Sequence, residues 1–354
     1  MASFTAILIT NKEAGDNMVS KCGKSSYILS TKPSILCEGA VVGRTEGEGP
    51  LKEYFDKIYY DSASSQESWE KSESLFQQQA FLEALEKGKL KPKDIEVMFS
   101  GDLLNQCISS SFGLLEFSVP YLGQYGACST MAQTLLLSGL FVDSGIVSLA
   151  AAVTASHFCS AERQFRFPLE YGGQRTPTAQ RTVTGGGCAI VGESTPGKPC
   201  ISAVHIGSMV DLGIKDANNM GAAMAPAAAQ TISSFLTDTE TKPSDYDLIL
   251  TGDLGEVGSK LLYELMLKDG IDISSRHKDC GLLIFDREVQ DVHAGGSGCG
   301  CAASVLCAYI LPKIASGELK NVIFAATGAL MSPTSSQQGE SIPGISHLVN
   351  LSFG

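Results

Sequence analysis

The sequence predicts an α/β fold assembled from two duplicated halves, and three observations carry that expectation. At 354 residues and 44% hydrophobic composition, the chain exceeds the roughly 250–300 residues at which a single core stops growing. Residues 94–103, DIEVMFSGDL, match residues 245–254, DYDLILTGDL, and each stretch reads as a strand ending in Gly-Asp-Leu. A second match keeps the same order. CSTMA at 128–132, a helical stretch through Ser144-Gly145 and an apolar run from Val147 to Val153 correspond to GCAAS at 300–304, a stretch through Ser316-Gly317 and residues 321–327. Two matches in one order imply a repeated unit whose halves bury equivalent elements about a pseudo-two-fold axis.

The elements follow in chain order. Residues 1–24 show no sustained periodicity and read as a tail. Residues 25–49 read as a strand, through Ile35-Leu36, followed by glycine-punctuated loops. From 67 to 87, apolar residues including Trp69, Phe76, Ala80 and Leu85 recur at helical spacing; Gly88 and then Pro92 mark the stop. The repeated strand 94–103 follows, then an extended piece at 117–122 and a helix after Cys128. The apolar window 134–155 contains Asp143 and Gly145, so it reads as helix, turn and buried strand rather than as a membrane span. Arg163, Arg166, Arg175 and Arg181 form the one dense arginine field, in a segment that joins the halves. Gly185-Gly186-Gly187 reads as a turn entering a buried strand, without the spacing of a phosphate-binding loop. Residues 219–236 read as a helix with a Gly/Ala face, interrupted near its start by Pro226. The expected units are a tail at 1–24, an N-terminal half at 25–215 and a C-terminal half at 216–354.

Composition narrows the partners. With 38 acidic and 26 basic residues, the net charge is -12, which argues against nucleic acid and against direct attraction to an anionic membrane surface. The 11 cysteines are odd in number and scattered, which fits reduced thiols rather than a disulfide framework. The N-terminal stretch lacks the basic start and long apolar core of a secretory signal.

Chemistry concentrates at Tyr125-Gly126-Ala127-Cys128-Ser129-Thr130. A cysteine where an extended segment turns into a helix meets outward-pointing backbone N–H groups. These favour an anion, so Cys128 is a candidate low-pKa nucleophile; a buried small hydrophobe is the other reading. Cys299 and Cys301, with Cys280, His277 and His293 nearby in sequence, lack the C-x2-C spacing of a structural zinc site. No metal and no cofactor are expected.

The motifs GDLLNQ at 101–106, YGACST at 125–130, TASH followed by AERQFRFPLEYGGQ, TGDLGEVGS at 251–259, HKDCGLLIF at 277–285, HAGGSGCGCAAS at 293–304 and ATGALMSPTSSQQGESIPGI at 326–345 together resemble the stage V sporulation protein AD family of the thiolase superfamily, over roughly residues 25–350. The resemblance implies a five-layer α/β/α/β/α fold and a homodimer made in the forespore. It further implies binding of dipicolinic acid, alone or with calcium, for uptake into the developing spore. The expected partners are the other stage V A proteins, at the inner spore membrane, with no transmembrane segment in this chain.

Carried over residue by residue, Cys128 matches the nucleophilic cysteine of the condensing enzymes and His277 resembles their first catalytic histidine. Ala294-Gly295-Gly296 stands where a further His or Asn is expected, with His293 just upstream. That departure favours a pocket converted to binding; a Cys128-dependent acyltransferase or ketoacyl-synthase-like enzyme, with His277 and His293 stabilising charge, is the alternative. Dipicolinate is a planar dianion that needs cationic or N–H partners when buried. The expected ligand-binding residues are therefore Cys128, His157, Arg163, Arg166 and His277.

Overall fold

The computed structural model describes residues 19–61, 63–165 and 175–354. The strands are β1 (Ser20–Cys22), β2 (Ser26–Ile28), β3 (Ser34–Gly43), β4 (Lys57–Tyr59), β5 (Val97–Gly101), β6 (Tyr121–Gly123), β7 (Leu149–Ser156), β8 (Arg181–Thr182), β9 (Gly185–Gly192), β10 (Pro199–His205), β11 (Leu248–Thr251), β12 (His277–Asp279), β13 (Gly296–Ser297), β14 (Asn321–Ala329) and β15 (Gly344–Phe353). The helices are α1 (Arg44–Gly47), α2 (Trp69–Gly88), α3 (Ile108–Gly113), α4 (Thr130–Asp143), α5 (Phe158–Phe165), α6 (Met220–Asp238), α7 (Gly255–Lys268), α8 (Cys280–Leu283), α9 (Cys299–Val305), α10 (Leu311–Ala315) and α11 (Pro333–Gln337), with a π-helical turn, Leu306–Ile310, joining α9 to α10.

The duplication is visible in the strand order β12-β11-β14-β15-β10-β3-β9-β7-β5-β6. Read from its centre outward, the order gives the same arrangement twice. The two Gly-Asp-Leu strands, β5 and β11, each lie between a long parallel partner, β7 or β14, and a short parallel edge strand, β6 or β12. The halves meet where β10 pairs with β3 at Cys200 and Ser34. The change of half therefore falls between β9 and β10, earlier than the expected break after 215, because β10 is the first strand of the second unit. Residues 20–24, expected as tail, belong to the β1–β2 hairpin, and β2 pairs with β10.

Three apolar clusters separate the layers. One outer cluster packs α2 residues such as Phe76, Phe81 and Leu85 on Val41, Met98 and Ile190 of the N-terminal half. The other packs α6 residues Met224, Ile232 and Phe235 on Ile249, Ile323 and Leu348 of the C-terminal half. Between the halves, α4 (Met131, Leu135) and α9 (Cys301, Ala302, Ala303) share a third cluster with Ala152, Val191, Phe324 and Val349. This is the α/β/α/β/α order, with α4 and α9 as its central layer.

Glycine makes the central layer possible. A Cβ at Gly187 would lie 2.5 Å from the Ala303 carbonyl oxygen, and one at Gly300 would lie 2.3 Å from the Gly185 oxygen. Gly185-Gly186-Gly187 is thus no turn but the start of β9, with Gly185 and Gly187 bare toward α9 and Gly186 bare toward Phe76 of α2. Gly88 is likewise inside α2, with its missing Cβ leaving room for the Cys37 sulfur, and the helix ends on Lys89 in the left-handed conformation. Pro226 does not interrupt α6, which runs from an Asn219 cap through the proline to Asp238.

Candidate functional site

Cys128 sits on a tight turn at the head of α4. Ala127 adopts a left-handed φ of 48°, and the turn spends its own donors. The Ser129 N–H donates to the Gly126 carbonyl at 3.0 Å and the Thr130 N–H to the Ala127 carbonyl at 3.3 Å; the Ser129 hydroxyl also donates to Gly126, at 2.7 Å. Those N–H groups were the expected stabilisers of a thiolate. With them used locally and the side chain buried, desolvation drives the thiol pKa well above its ordinary value, and the Asp253 carboxylate raises it further. The low-pKa nucleophile expected from the sequence is therefore a thiol kept protonated by burial and by the neighbouring Asp253 carboxylate, against the smaller opposing pull of the Gly298 N–H and the Ser297 hydroxyl.

Asp253 is the central group of the site. It follows β11, and its carboxylate accepts the Gly298 N–H at 2.8 Å and the Thr327 hydroxyl at 2.8 Å. Burial pushes its pKa up to about 7. Asp279 fixes the turn that carries it. One Asp279 oxygen accepts the Thr251 hydroxyl (2.7 Å) and the Leu254 N–H (2.8 Å), and the other accepts the Gly255 N–H (3.0 Å). Asp102, the partner of Asp253 in the duplication, keeps its bonds within its own half, accepting from Leu104 N–H and from the N–H and hydroxyl of Ser110. The equivalent carboxylate in the second half reaches across to Cys128.

In front of the thiol lies a narrow slot of about 30 Å³, room for about one water. Leu103, Ala161, Phe165, Met220 and Met331 make its apolar walls, while Glu162, Thr182 and Ser297 contribute the polar edge. Glu162 is buried and accepts the Thr182 hydroxyl at 2.9 Å.

The other sequence-predicted residues lie elsewhere. His277 is on edge strand β12, bonded through Nε2 to the Thr251 hydroxyl and through Nδ1 to the Tyr263 hydroxyl, both at 2.8 Å. Because Thr251 donates to Asp279, His277 Nε2 carries the proton and Nδ1 accepts. Burial, helped by Lys278, lowers its pKa to about 4, so it is a neutral link in a support network and lines no part of the slot. His293 is held by Asp291, with Nε2 3.1 Å from the carboxylate, also outside the slot. His157 follows β7 and faces a different cavity, its Nδ1 accepting the Cys159 N–H at 3.1 Å. Arg163 is an exposed residue paired with Glu70 and resting over Trp69. Arg166 lies outside the described residues; Phe165, immediately before it, lines the slot. Cys299 and Cys301 are buried in α9, where their thiols donate to the Ala155 and Gly252 carbonyls, and no group of three or more metal-ligating side chains occurs among the described residues.

Fold and site define the class: a thiolase-superfamily architecture with a cysteine at the head of a central helix, but with a carboxylate where an imidazole partner was expected. Over about nine-tenths of its length the chain is similar to solved condensing enzymes. These include 3-oxoacyl-(acyl-carrier-protein) synthase III from Aquifex aeolicus (13% identity, 91% of this chain and 100% of that one, TM-score 0.55). Acetamide-bound OleA from Xanthomonas campestris (12%, 91% and 99%, TM-score 0.57) and the tetronic acid condensing enzyme AbyA1 (14%, 90% and 99%, TM-score 0.57) are similar to the same degree. Identities this low speak to the fold alone. The stage V sporulation protein AD family model matches residues 23–352, and the Stage V sporulation protein AD of Bacillus subtilis (strain 168) is 43% identical over 325 residues, covering 92% of this chain and 96% of the relative. The chain belongs to the stage V sporulation protein AD family. Among its described residues, no helix is long and apolar enough to cross a membrane.

Proposed function

We propose that this chain is a binding protein for dipicolinic acid, free or as its calcium chelate, and that it serves uptake of the ligand into the developing spore. In this reading it works as an accessory to a membrane complex of other stage V A proteins, at the inner spore membrane. The observation that carries binding over catalysis is the Cys128–Asp253 pair. Burial and the neighbouring negative charge both push the thiol pKa up, and Asp253, at about 7, is too weak a base to take the proton from it, whereas nucleophilic catalysis needs a partner that yields the thiolate.

The apolar walls of the slot suit a pyridine ring, and Ser297, whose hydroxyl has only a long 3.4 Å contact to Asp253, offers a donor, the Thr182 hydroxyl being spent on Glu162. A ring does not enter about 30 Å³, so binding requires Phe165 and its neighbours to move outward. Arg166, next to Phe165, is the proposed carboxylate partner; a guanidinium fork matches one carboxylate edge. Calorimetry with dipicolinate, with and without calcium, tests this. Arg166→Ala is expected to weaken binding about 10- to 100-fold, the loss of a charged hydrogen bond worth roughly 1.5–3 kcal/mol. Arg163→Ala, whose guanidinium is already taken by Glu70, leaves the affinity unchanged. No heat with the native chain removes the ligand assignment.

A second reading, a Cys128-dependent acyltransferase, draws on the fold and on the cysteine facing a cavity. Intact-mass measurement with a panel of acyl-coenzyme A donors separates the two. Stoichiometric acylation that vanishes in Cys128→Ala, together with product turnover, would establish the enzyme.

The proposed assembly is a homodimer through β6. All three of its residues are exposed, its outer edge has no strand partner among the described residues, and Ile108, Phe112 and Leu115 are exposed just before it. An edge of this kind pairs readily with another chain, and a charge on it blocks pairing. Sedimentation velocity is expected to give a dimer for the native chain and a monomer for Leu122→Lys; a native monomer throughout the micromolar range refutes the interface.

A further inference from the structure

A second cavity, of about 330 Å³, lies on the far side of α5 and β8 from the Cys128 slot. Alternation along β8 separates the two, since Thr182 borders the slot and Arg181 borders this cavity. Its walls come from α1 with the residue before it, the loop at Tyr60 and Asp61, the start of α5, and β8.

The Arg181 guanidinium is placed but not satisfied. It stacks on the Phe158 ring with Cζ 4.0 Å from the centroid, which fixes its plane. Among the described residues its Nε is shielded from water without a hydrogen-bond acceptor, and Nη2 has only a marginal contact, 3.4 Å to the Thr45 hydroxyl. These two atoms form one edge of the guanidinium, the parallel N–H fork that a carboxylate grips with both oxygens. Arg175, which does not line the cavity and is paired with Asp291 at 3.2 Å, is near enough to Arg181 to repel it. Leaving charged donors buried and unmade is costly, and an anion between the walls removes that cost.

The opposite wall selects which anion. Glu46 is buried, accepts the Thr184 N–H at 3.0 Å, and attracts Arg181 without touching it; exposed Asp61 borders the same space. The remaining cation, Arg44, is already paired with Glu48 at 2.9 Å. A multiply charged phosphate would meet two acids and one unspent arginine. A ligand with one carboxylate and one hydrogen-bond donor matches both sides.

We infer that this cavity is a second ligand site, taking a compact zwitterion whose carboxylate lies on the Arg181 fork and whose ammonium or equivalent donor faces Glu46. The site is separate from the one proposed for dipicolinate and does not depend on it. Titration of the full chain with glycine and with 4-aminobutyrate, read by saturation-transfer NMR, probes two spacings of the charges. At least one of them is expected to bind saturably, at least tenfold more tightly than acetate or inorganic phosphate. Arg181→Gln and Glu46→Gln each weaken it at least tenfold, and Cys128→Ala leaves it unchanged. Arg181→Lys, which keeps the charge and loses the fork, weakens it as well; full retention in that variant would reduce the site to unspecific attraction and overturn the fork. Absence of saturable binding by either zwitterion, or phosphate binding more tightly, overturns the zwitterion assignment. Loss of dipicolinate binding in folded Arg181→Gln overturns the separation of the two sites.

Discussion

Gly187→Val is expected to leave little or no folded protein, with any folded fraction destabilised by about 3 kcal/mol or more. The reason lies in how closely β9 and α9 approach. A Cβ at position 187 would sit 2.5 Å from the Ala303 oxygen, 2.7 Å from its carbonyl carbon and 2.9 Å from its side chain. Two of those three atoms are backbone, so no rotamer change relieves the overlap, and α9 would have to lift off the sheet. Lifting it opens the central cluster on which Ala302, Ala303 and Cys301 depend. It also displaces Gly298, whose N–H holds Asp253. Valine at Gly197, whose added Cβ meets nothing within 4 Å but whose φ is 76°, is the useful contrast. Strain there is local, costing about 1–2 kcal/mol, and thermal unfolding separates the two variants clearly.

The duplication was legible because it is written twice in apolar strands that end alike, and both copies became equivalent strands. Its boundary was not, because β10 opens the second unit with PCISAVH, a run that repeats no earlier motif; the strand shows itself by pairing with β15, β2 and β3. The hairpin that begins at Ser20 is illegible for a similar reason. Ser20-Lys21-Cys22 has no strand signature of its own and is held by Asp238, which accepts from Lys24 N–H, Ser25 N–H and the Ser26 hydroxyl. At the site, the position of Cys128 at a helix head was readable from the change of periodicity. Its protonation was not, because that depends on donors spent within the turn and on a carboxylate from the other half. Asp253 stood in plain view as the repeated Gly-Asp-Leu. Read as a strand end, it gave no sign that the second copy turns toward Cys128 while the first, Asp102, bonds Ser110. His277 resembles a loop histidine in sequence, whereas its neighbours Thr251 and Tyr263 come from β11 and α7 and make it a support.

Asp253→Asn is expected to raise the rate of Cys128 alkylation by iodoacetamide at pH 8 by about tenfold or more over the native chain. The carboxylate raises the thiol pKa both as a nearby negative charge and as the acceptor of its proton, and each unit of lowered pKa multiplies the thiolate fraction by about ten while the thiol remains mostly protonated. Burial is the larger cause and stays, so Cys128 remains slower than an exposed cysteine; Cys128→Ala in the same background identifies the modified residue by mass. The same substitution carries a stability signature. Asp253 has a folded pKa of about 7 against an ordinary value of 3.8, so its contribution to folding is complete below about pH 4 and is lost as pH rises through 7. Over that window the native chain should lose about 1.4 kcal/mol per pH unit from this one group, a slope absent from the asparagine variant. His277, lowered to about 4, acts with the opposite sign, its contribution being lost as pH falls from 6.5 through 4, but it is common to both proteins and cancels in the comparison. Chemical denaturation at pH 5 and pH 8 should therefore show Asp253→Asn gaining on the native chain at the higher pH. Parallel pH profiles together with unchanged alkylation would mean that Asp253 does not hold the Cys128 proton, and the case for binding over catalysis would lose its main support.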